Sequence, residues 1–345
     1  MFQHQGEEIN VLTNNNKHIL SISLKTIVMT RFFTRCILVV AVFLALGLTS
    51  CHKFSGPSVP AYIHIESISV DSLTDYSVYG ASTSNITDAW VYVDDQIIGC
   101  YELPATFPVL EKGEHKVAVY GGICLDGRGS MRAPYSFYMP VEYKNMELVE
   151  NQIDTLRPVL NYYPINEGVK IAKIVDFESS NPMESTAQSD TGMVRVVRAE
   201  NWPASCMDYV GGVSLPAGSL DFTVAIADEF KCHKDLMGEK PLLLEMDYNT
   251  NDTVFVGIMY YEKYTLVQWP MVKVLPTDKQ HDIPQVWKKI YINLGSLMHD
   301  HESADYFKVY ITSDLTVSES YGQAPYSPLN EPRHYYFDNL KVLYK

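Results

Sequence analysis

Few side chains in this 345-residue sequence are spaced for chemistry, and those that are divide between metal ligation and ligand stacking. His299-Asp300-His301-Glu302 sets two imidazoles two residues apart among carboxylates, and such a pair on one strand face can bind a transition metal. It follows Gly295-Ser296, so a solvated loop is the competing reading. Cys232-His233 with Asp235 is a thinner version of the same idea. Glycoside hydrolysis needs two carboxylates facing each other across about 5–9 Å, and sequence proximity among so many acids selects no pair. No G-x-S-x-G elbow, H-E-x-x-H zinc pair or P-loop occurs, so an enzyme is not expected. Aromatic rings are the better candidates, because a sugar lays its C–H face on Trp or Tyr while neighbouring polar groups bond its hydroxyls. Trp202, Trp269, Trp287, Tyr260, Tyr261, Tyr264 and Tyr321 are available in the C-terminal half. Trp202 and Tyr264 lie among polar or turn residues and are expected to be exposed, whereas Trp287 heads an alternating strand and is expected in the core. Arg128, Arg132 and Tyr135, in the stretch from Gly127 to Pro140, offer an alternative partner surface.

The elements that carry these residues begin with an export signal. Arg31 and Arg35 precede Cys36–Gly47, twelve residues without a charge. That run is short of the roughly 20 apolar residues of a membrane span but suits a signal-peptide core. Leu48-Thr49-Ser50-Cys51 then resembles the lipobox cut by lipoprotein signal peptidase. The resemblance implies cleavage before Cys51, thioether attachment of diacylglycerol to its thiol, and acylation of the new amino terminus. Several acyl chains, at about 0.8 kcal/mol per buried CH₂, hold a protein stably where one would not. Residues 1–28 carry no targeting logic, and Met29 stands where a signal peptide starts. Initiation at Met29, or translation and removal of the extension, accounts for them. Residues 29–50 are the signal peptide and 51–60 a tether. His52 and Lys53 leave both periplasmic and surface faces of the outer membrane open.

The chain carries 27 Lys and Arg against 41 Asp and Glu; removing residues 1–50 takes four basic and two acidic side chains and leaves a net charge of −16. A surface this acidic repels nucleic acid and anionic head groups. Four cysteines follow Cys51, an even number that permits two disulfides in an exported protein. Sequence neighbours suggest Cys100–Cys124 and Cys206–Cys232, and the other pairings stay open.

From residue 61 to 165 the pattern is short strands broken by turns. Ala89–Val93 and Gln96–Glu102 flank Asp94-Asp95 as a hairpin, and Val117 and Val119 share one face of a later strand. Six to eight such strands suit an immunoglobulin-like sandwich. The polar stretch from Asn145 to Pro164 reads as the join to a second module, residues 166–345. There Ile290, Ile292 and Leu294 alternate with polar residues, as do Phe307, Val309 and Ile311, and no segment sustains a helical period. Twenty-four tyrosines favour β structure. The expectation is an all-β chain, an immunoglobulin-like β-sandwich followed by a jelly-roll β-sandwich.

Val91-Tyr92-Val93-Asp94-Asp95, Gly99, Leu103-Pro104 and Gly113-Glu114-His115-Lys116-Val117 resemble the PEGA-type repeat of envelope proteins. In the second module, Val175-Asp176-Phe177-Glu178, Trp287–Tyr291 and Tyr336-Phe337-Asp338-Asn339-Leu340-Lys341-Val342 resemble carbohydrate-binding-module and galactose-binding-like jelly rolls. Together the two resemble envelope lipoproteins of the Bacteroidota type. The jelly-roll resemblance implies a structural Ca²⁺ on Asp176, Glu178 and Asp338, an ion that takes six to eight oxygens. The competing reading is that these acids bond backbone amides at strand ends. The functional expectation is a non-enzymatic, lipid-anchored outer-membrane protein that binds a glycan through its jelly roll. The alternative is a structural or assembly component of an envelope complex that binds protein partners.

Overall fold

The computed structural model describes residues 59–345 except 72–74, 166, 168, 188, 220, 232–240, 279, 281–283, 296–303, 305 and 314–330. The lipobox, the tether up to residue 58, the His299–Glu302 string, Cys232, His233, Asp235 and Tyr321 lie outside the described residues. No helix among the described residues is long and apolar enough to cross a membrane.

The described chain is all-β, as its alternating sequence predicts, with only single helical turns at Tyr76–Tyr79 and Ala204–Cys206. The first sandwich contains β1 (Ala61–Ile65), β2 (Ser69–Val70), β3 (Asp88–Val93), β4 (Gln96–Glu102), β5 (Ala105–Val109) and β6 (Gly113–Cys124), then β7 (Arg132–Pro134), β8 (Tyr138–Met139), β9 (Val141–Leu148), β10 (Ile153–Leu156) and β11 (Val159–Tyr162). The Asp94-Asp95 hairpin forms as expected, with both residues at positive φ (46° and 65°) and Val93 opposite Gln96. Two adjacent residues at positive φ match the right-handed twist of the flanking strands. One sheet runs β4-β3-β6, with β9 along the first part of the far side of β6 and β7 along its end. Facing it are the three-stranded sheets β10-β1-β5 and β2-β11-β8. The stretch read as a join is instead structural: it holds the end of β9 and all of β10 and β11, which pair in parallel with β1 and β2. Parallel partners are distant in sequence, so a polar edge strand of this kind looks like a linker when read locally.

The second sandwich contains β12 (Lys170–Val175), β13 (Met183–Ser185), β14 (Val194–Val197), β15 (Tyr209–Leu215), β16 (Thr223–Ile226), β17 (Phe230–Lys231) and β18 (Leu242–Thr250). It continues with β19 (Val254–Glu262), β20 (Thr265–Val274), β21 (Lys288–Asn293), β22 (Tyr306–Thr312) and β23 (Arg333–Tyr344). One sheet is β14-β15-β23-β18-β21 with β12 also on β23; the other is β13-β16-β22-β19-β20 with β17 also on β22. Their inward side chains, among them Leu244, Met246, Ile258, Val309, Ile311 and Phe337, fill a common core.

The two sandwiches share apolar packing as well, since Leu243, Tyr291 and Leu343 of the second belong to the core of the first. At that junction Glu245, fully buried, accepts hydrogen bonds from the Tyr135 hydroxyl and from the Tyr162 hydroxyl at 2.9 and 3.0 Å. The Lys289 ammonium lies 3.0 Å from the same carboxylate and that of Lys341 lies 3.7 Å away. Lys289 also donates to Thr83 Oγ1 at 3.0 Å, and Lys341 to the Ala81 carbonyl. Burial alone would raise the Glu245 carboxyl, but the two ammoniums and the Tyr135 hydroxyl outweigh it and hold it down at about 2. Burial pushes the Lys341 ammonium down to about 8 despite Glu245. Every charge here has an opposite partner and a hydrogen bond, the condition under which buried ions are tolerated.

Candidate ligand groove

The outer face of the β13-β16-β22-β19-β20 sheet carries a groove of about 610 Å³, within the range of small-molecule sites. Strand alternation builds it. In β22, Phe307, Val309 and Ile311 face the core, so Tyr306, Lys308 and Tyr310 face outward. Register then assembles rows across the sheet: Glu184 opposite Ala225, Ala225 opposite Tyr310, Lys308 opposite Met259, and Tyr261 opposite Leu266. Ala225, Met259 and Tyr310 are buried and form the floor with Leu266 packed on them. The small Ala225 side chain keeps that floor low. Tyr306 and Tyr261 stand above it, 47% and 64% exposed, and Tyr264 on the β19–β20 turn is 97% exposed.

The polar groups are mixed in sign. Lys308 donates to the Glu184 carboxylate from β22 to β13, across the intervening β16. Glu229, Lys263, Ser185 and Thr186 complete the polar lining. Thr186 Oγ1 is shielded from water and has no hydrogen-bond partner. The arrangement offers aromatic faces for stacking, a low apolar floor, and donors and acceptors at the walls. These are the requirements for holding a polyhydroxylated ring.

The residues singled out by sequence fare unequally. Tyr264 is exposed beside the groove as expected, and Tyr261 lines it. Trp202 is a correction: only 4% exposed, it packs edge-on against Trp287 and Tyr336 at 5.4 and 4.6 Å, so it is core and offers no platform. Its polar sequence neighbours gave no sign of the β23 ring that covers it. Trp287, expected in the core, is half-buried, Tyr260 is buried, and Trp269 sits on the edge strand β20, 45% exposed. The Arg128, Arg132 and Tyr135 surface does not form. Arg132 is tied to Asp88 and Glu102, and Tyr135 is buried on Glu245.

The expected disulfides are also corrected. Cys100, Cys124 and Cys206 are free thiols. Cys100 on β4 and Cys124 on β6 belong to strands on opposite sides of β3, two strand spacings apart, so their Cα atoms are separated by at least about 10 Å, whereas a bridge needs Cα atoms within roughly 7 Å. Cys206 is buried, and burial pushes its thiol up to about 12.

Asp176, Glu178 and Asp338 do gather where β12 ends beside the middle of β23, but not as a calcium cage. Asp176 accepts from the Tyr76 hydroxyl at 3.1 Å and the Glu178 amide at 3.2 Å. Glu178 accepts from the amides of Asp208 and Tyr209 at 3.1 and 3.0 Å, and Asp338 from the Asn339 amide at 2.8 Å. Burial, reinforced by Asp247, Glu178 and Asp176 against the Asn339 bond, pushes the Asp338 carboxyl up to about 9. Among the described residues no three acidic, histidine or cysteine side chains are grouped to hold a metal. The backbone-bonding reading therefore describes these acids, and the residues as arranged do not fit the ion.

Sequence reasoning missed Glu184, Lys308, Tyr306 and Met259. The alternation of Phe307, Val309 and Ile311 was the available signal, since the residues between them must face outward.

No protein-family model matches the sequence, and no curated protein is detectably similar to it. Solved structures with some likeness include a family 29 carbohydrate-binding module, at 7% identity over 51% of this chain and 91% of that one, with a TM-score of 0.29. The tandem CBM22 modules of Paenibacillus barcinonensis Xyn10C align at 10% identity over 75% and 74%, with a TM-score of 0.31. A family 43 arabinoxylan arabinofuranohydrolase from Bacillus subtilis aligns at 12% identity over 76% and 42%, at 0.23. At these values the likenesses carry no weight for function, which rests on the groove's own residues.

Proposed function

We propose that this chain is a non-enzymatic, lipid-anchored outer-membrane protein that holds a glycan in the groove of its second sandwich. The observation that carries the reading is the pairing of exposed Tyr261, Tyr264 and Tyr306 with a low floor and polar walls on one sheet face. Sugar rings stack on such rings through their C–H faces, and Ser185, Glu184 and Lys263 are placed to bond their hydroxyls. The lipobox at Cys51 supports the anchor.

Affinity electrophoresis of residues 52–345 through gels containing individual polysaccharides tests the groove. At least one polymer should retard the protein, and Tyr261→Ala or Tyr306→Ala should weaken that retardation by about tenfold, the equivalent of about 1.4 kcal/mol. Retardation unchanged in both variants would place the ligand elsewhere. Cys51→Ala should move the protein from the membrane to the soluble fraction, and continued membrane retention would remove the anchor.

A further inference from the structure

The first sandwich has two unlike ends. At one, β6 finishes at Cys124, and the next residue, Leu125, bridges to Tyr291 of the second sandwich. At the other lie the start of β1, the β3–β4 and β5–β6 turns, and the β9–β10 turn. Pairings of Ala61 with Val109, Tyr62 with Ile153, and Gly113 with Leu148 bring most of these together, as does the Asn151 amide bond to the Pro60 carbonyl at 2.9 Å. This second end displays Val59, Ile97, Leu110, Val149 and Ile153, with exposures from 41% to 65%. Single exposed apolar side chains need no explanation. Five from four separate segments gathered at one end of a sandwich do.

We propose that this end rests on the lipid surface, its apolar side chains entering the head-group layer. The inference rests on the lipid-anchor reading and adds the orientation of the protein on the membrane. One observation selects lipid as the occupant and a second narrows the kind of lipid. Val59 is only eight residues beyond Cys51, a separation that cannot exceed about 28 Å when fully extended. A tether that short holds the end at millimolar effective concentration against the bilayer, so a contact too weak to bind alone is still populated. Charge supplies the second. Asp94 bonds His115 at 2.6 Å, Asp95 is paired with Lys116, and Glu150 lies 3.5 Å from Lys112, which leaves Glu111, Glu114 and Glu147 exposed and acidic. Residual acid opposes an anionic head-group layer, which leaves a zwitterionic one.

The test uses the lipidated full chain in phosphatidylethanolamine–phosphatidylcholine vesicles, followed by flotation and amide hydrogen exchange. Relative to the unanchored Cys51→Ala chain, exchange at residues 110–113 and 149–153 should slow about tenfold, while the turn at 263–265 stays unchanged. Leu110→Ser with Ile153→Ser should abolish that slowing yet still float, with β18 and β23 exchanging as before. Flotation with no slowing at either turn would overturn the orientation and leave the anchor standing. Failure of the native chain to float would overturn the anchor and the orientation with it.

Discussion

The groove and the junction are made from the same parts, tyrosines around a lysine–carboxylate pair, and differ in what water can reach. In the groove the Lys308 and Glu184 side chains are 20% and 52% exposed; at the junction those of Lys289 and Glu245 are 2% and 0% exposed. An exposed pair is screened and worth about 0–1 kcal/mol. A buried pair gains little over an apolar one, yet breaking it leaves a charge without solvent and costs about 3–5 kcal/mol. Identical chemistry thus fixes the relation between two sandwiches in one place and leaves a surface available to a ligand in the other. The junction tyrosines spend their hydroxyls inside the protein, while those of the groove keep their faces outward.

The comparison breaks most readily at Glu245. Glu245→Ala should destabilise the chain by about 3–5 kcal/mol in urea denaturation, because Lys289 and Lys341 remain buried. A loss below about 1 kcal/mol would mean that water reaches the junction. Acid should come next. The Glu245 carboxyl is held below its unfolded value, so its stabilisation is complete above about pH 4.5 and is lost as pH falls toward 2. About 3 kcal/mol should disappear over that window in a pH series of chemical melts, and the loss should be absent in Glu245→Gln. The smallest effect belongs to the groove. Lys308→Ala should change stability by no more than about 1 kcal/mol, while altering retardation by any polysaccharide that binds. A larger stability loss would make the Lys308–Glu184 pair structural, like its buried counterpart.

Much of the fold is legible in the sequence where a local pattern decides the structure. Asp94-Asp95 between alternating runs specifies a hairpin, and the alternation in β21 and β22 specifies which residues enter the core. Where a distant partner decides, the sequence misleads. In strand β15, Gly211-Gly212 weakens the local pattern, yet those glycines are required there. A Cβ on Gly211 would lie 2.3 Å from the Phe177 ring, and one on Gly212 would lie 2.5 Å from Val196. Trp202 looked exposed for want of its Tyr336 neighbour. The junction did leave a trace: Glu245 and Asp247 interrupt the apolar run of β18, and Lys341 interrupts that of β23. A buried charge in one strand calls for its opposite in the next, and Glu245 indeed stands opposite Lys341 in the register. The groove was half legible, its tyrosines visible as types while their assembly depended on five strands from separate parts of the chain.

The twelve residues of β6 run from the apolar end of the first sandwich to the junction. At about 3.3 Å per residue they form a spacer of roughly 40 Å. On a lipid-anchored chain a rigid spacer and a tether would do different jobs: the tether would govern tilt and lateral wandering, and the strand would govern height. With the junction closed to water, that height cannot relax by hinging between the sandwiches. A groove carried on such a post would work at a fixed stand-off from the bilayer, meeting polymers that extend well beyond the head groups and passing over those that lie flat upon them.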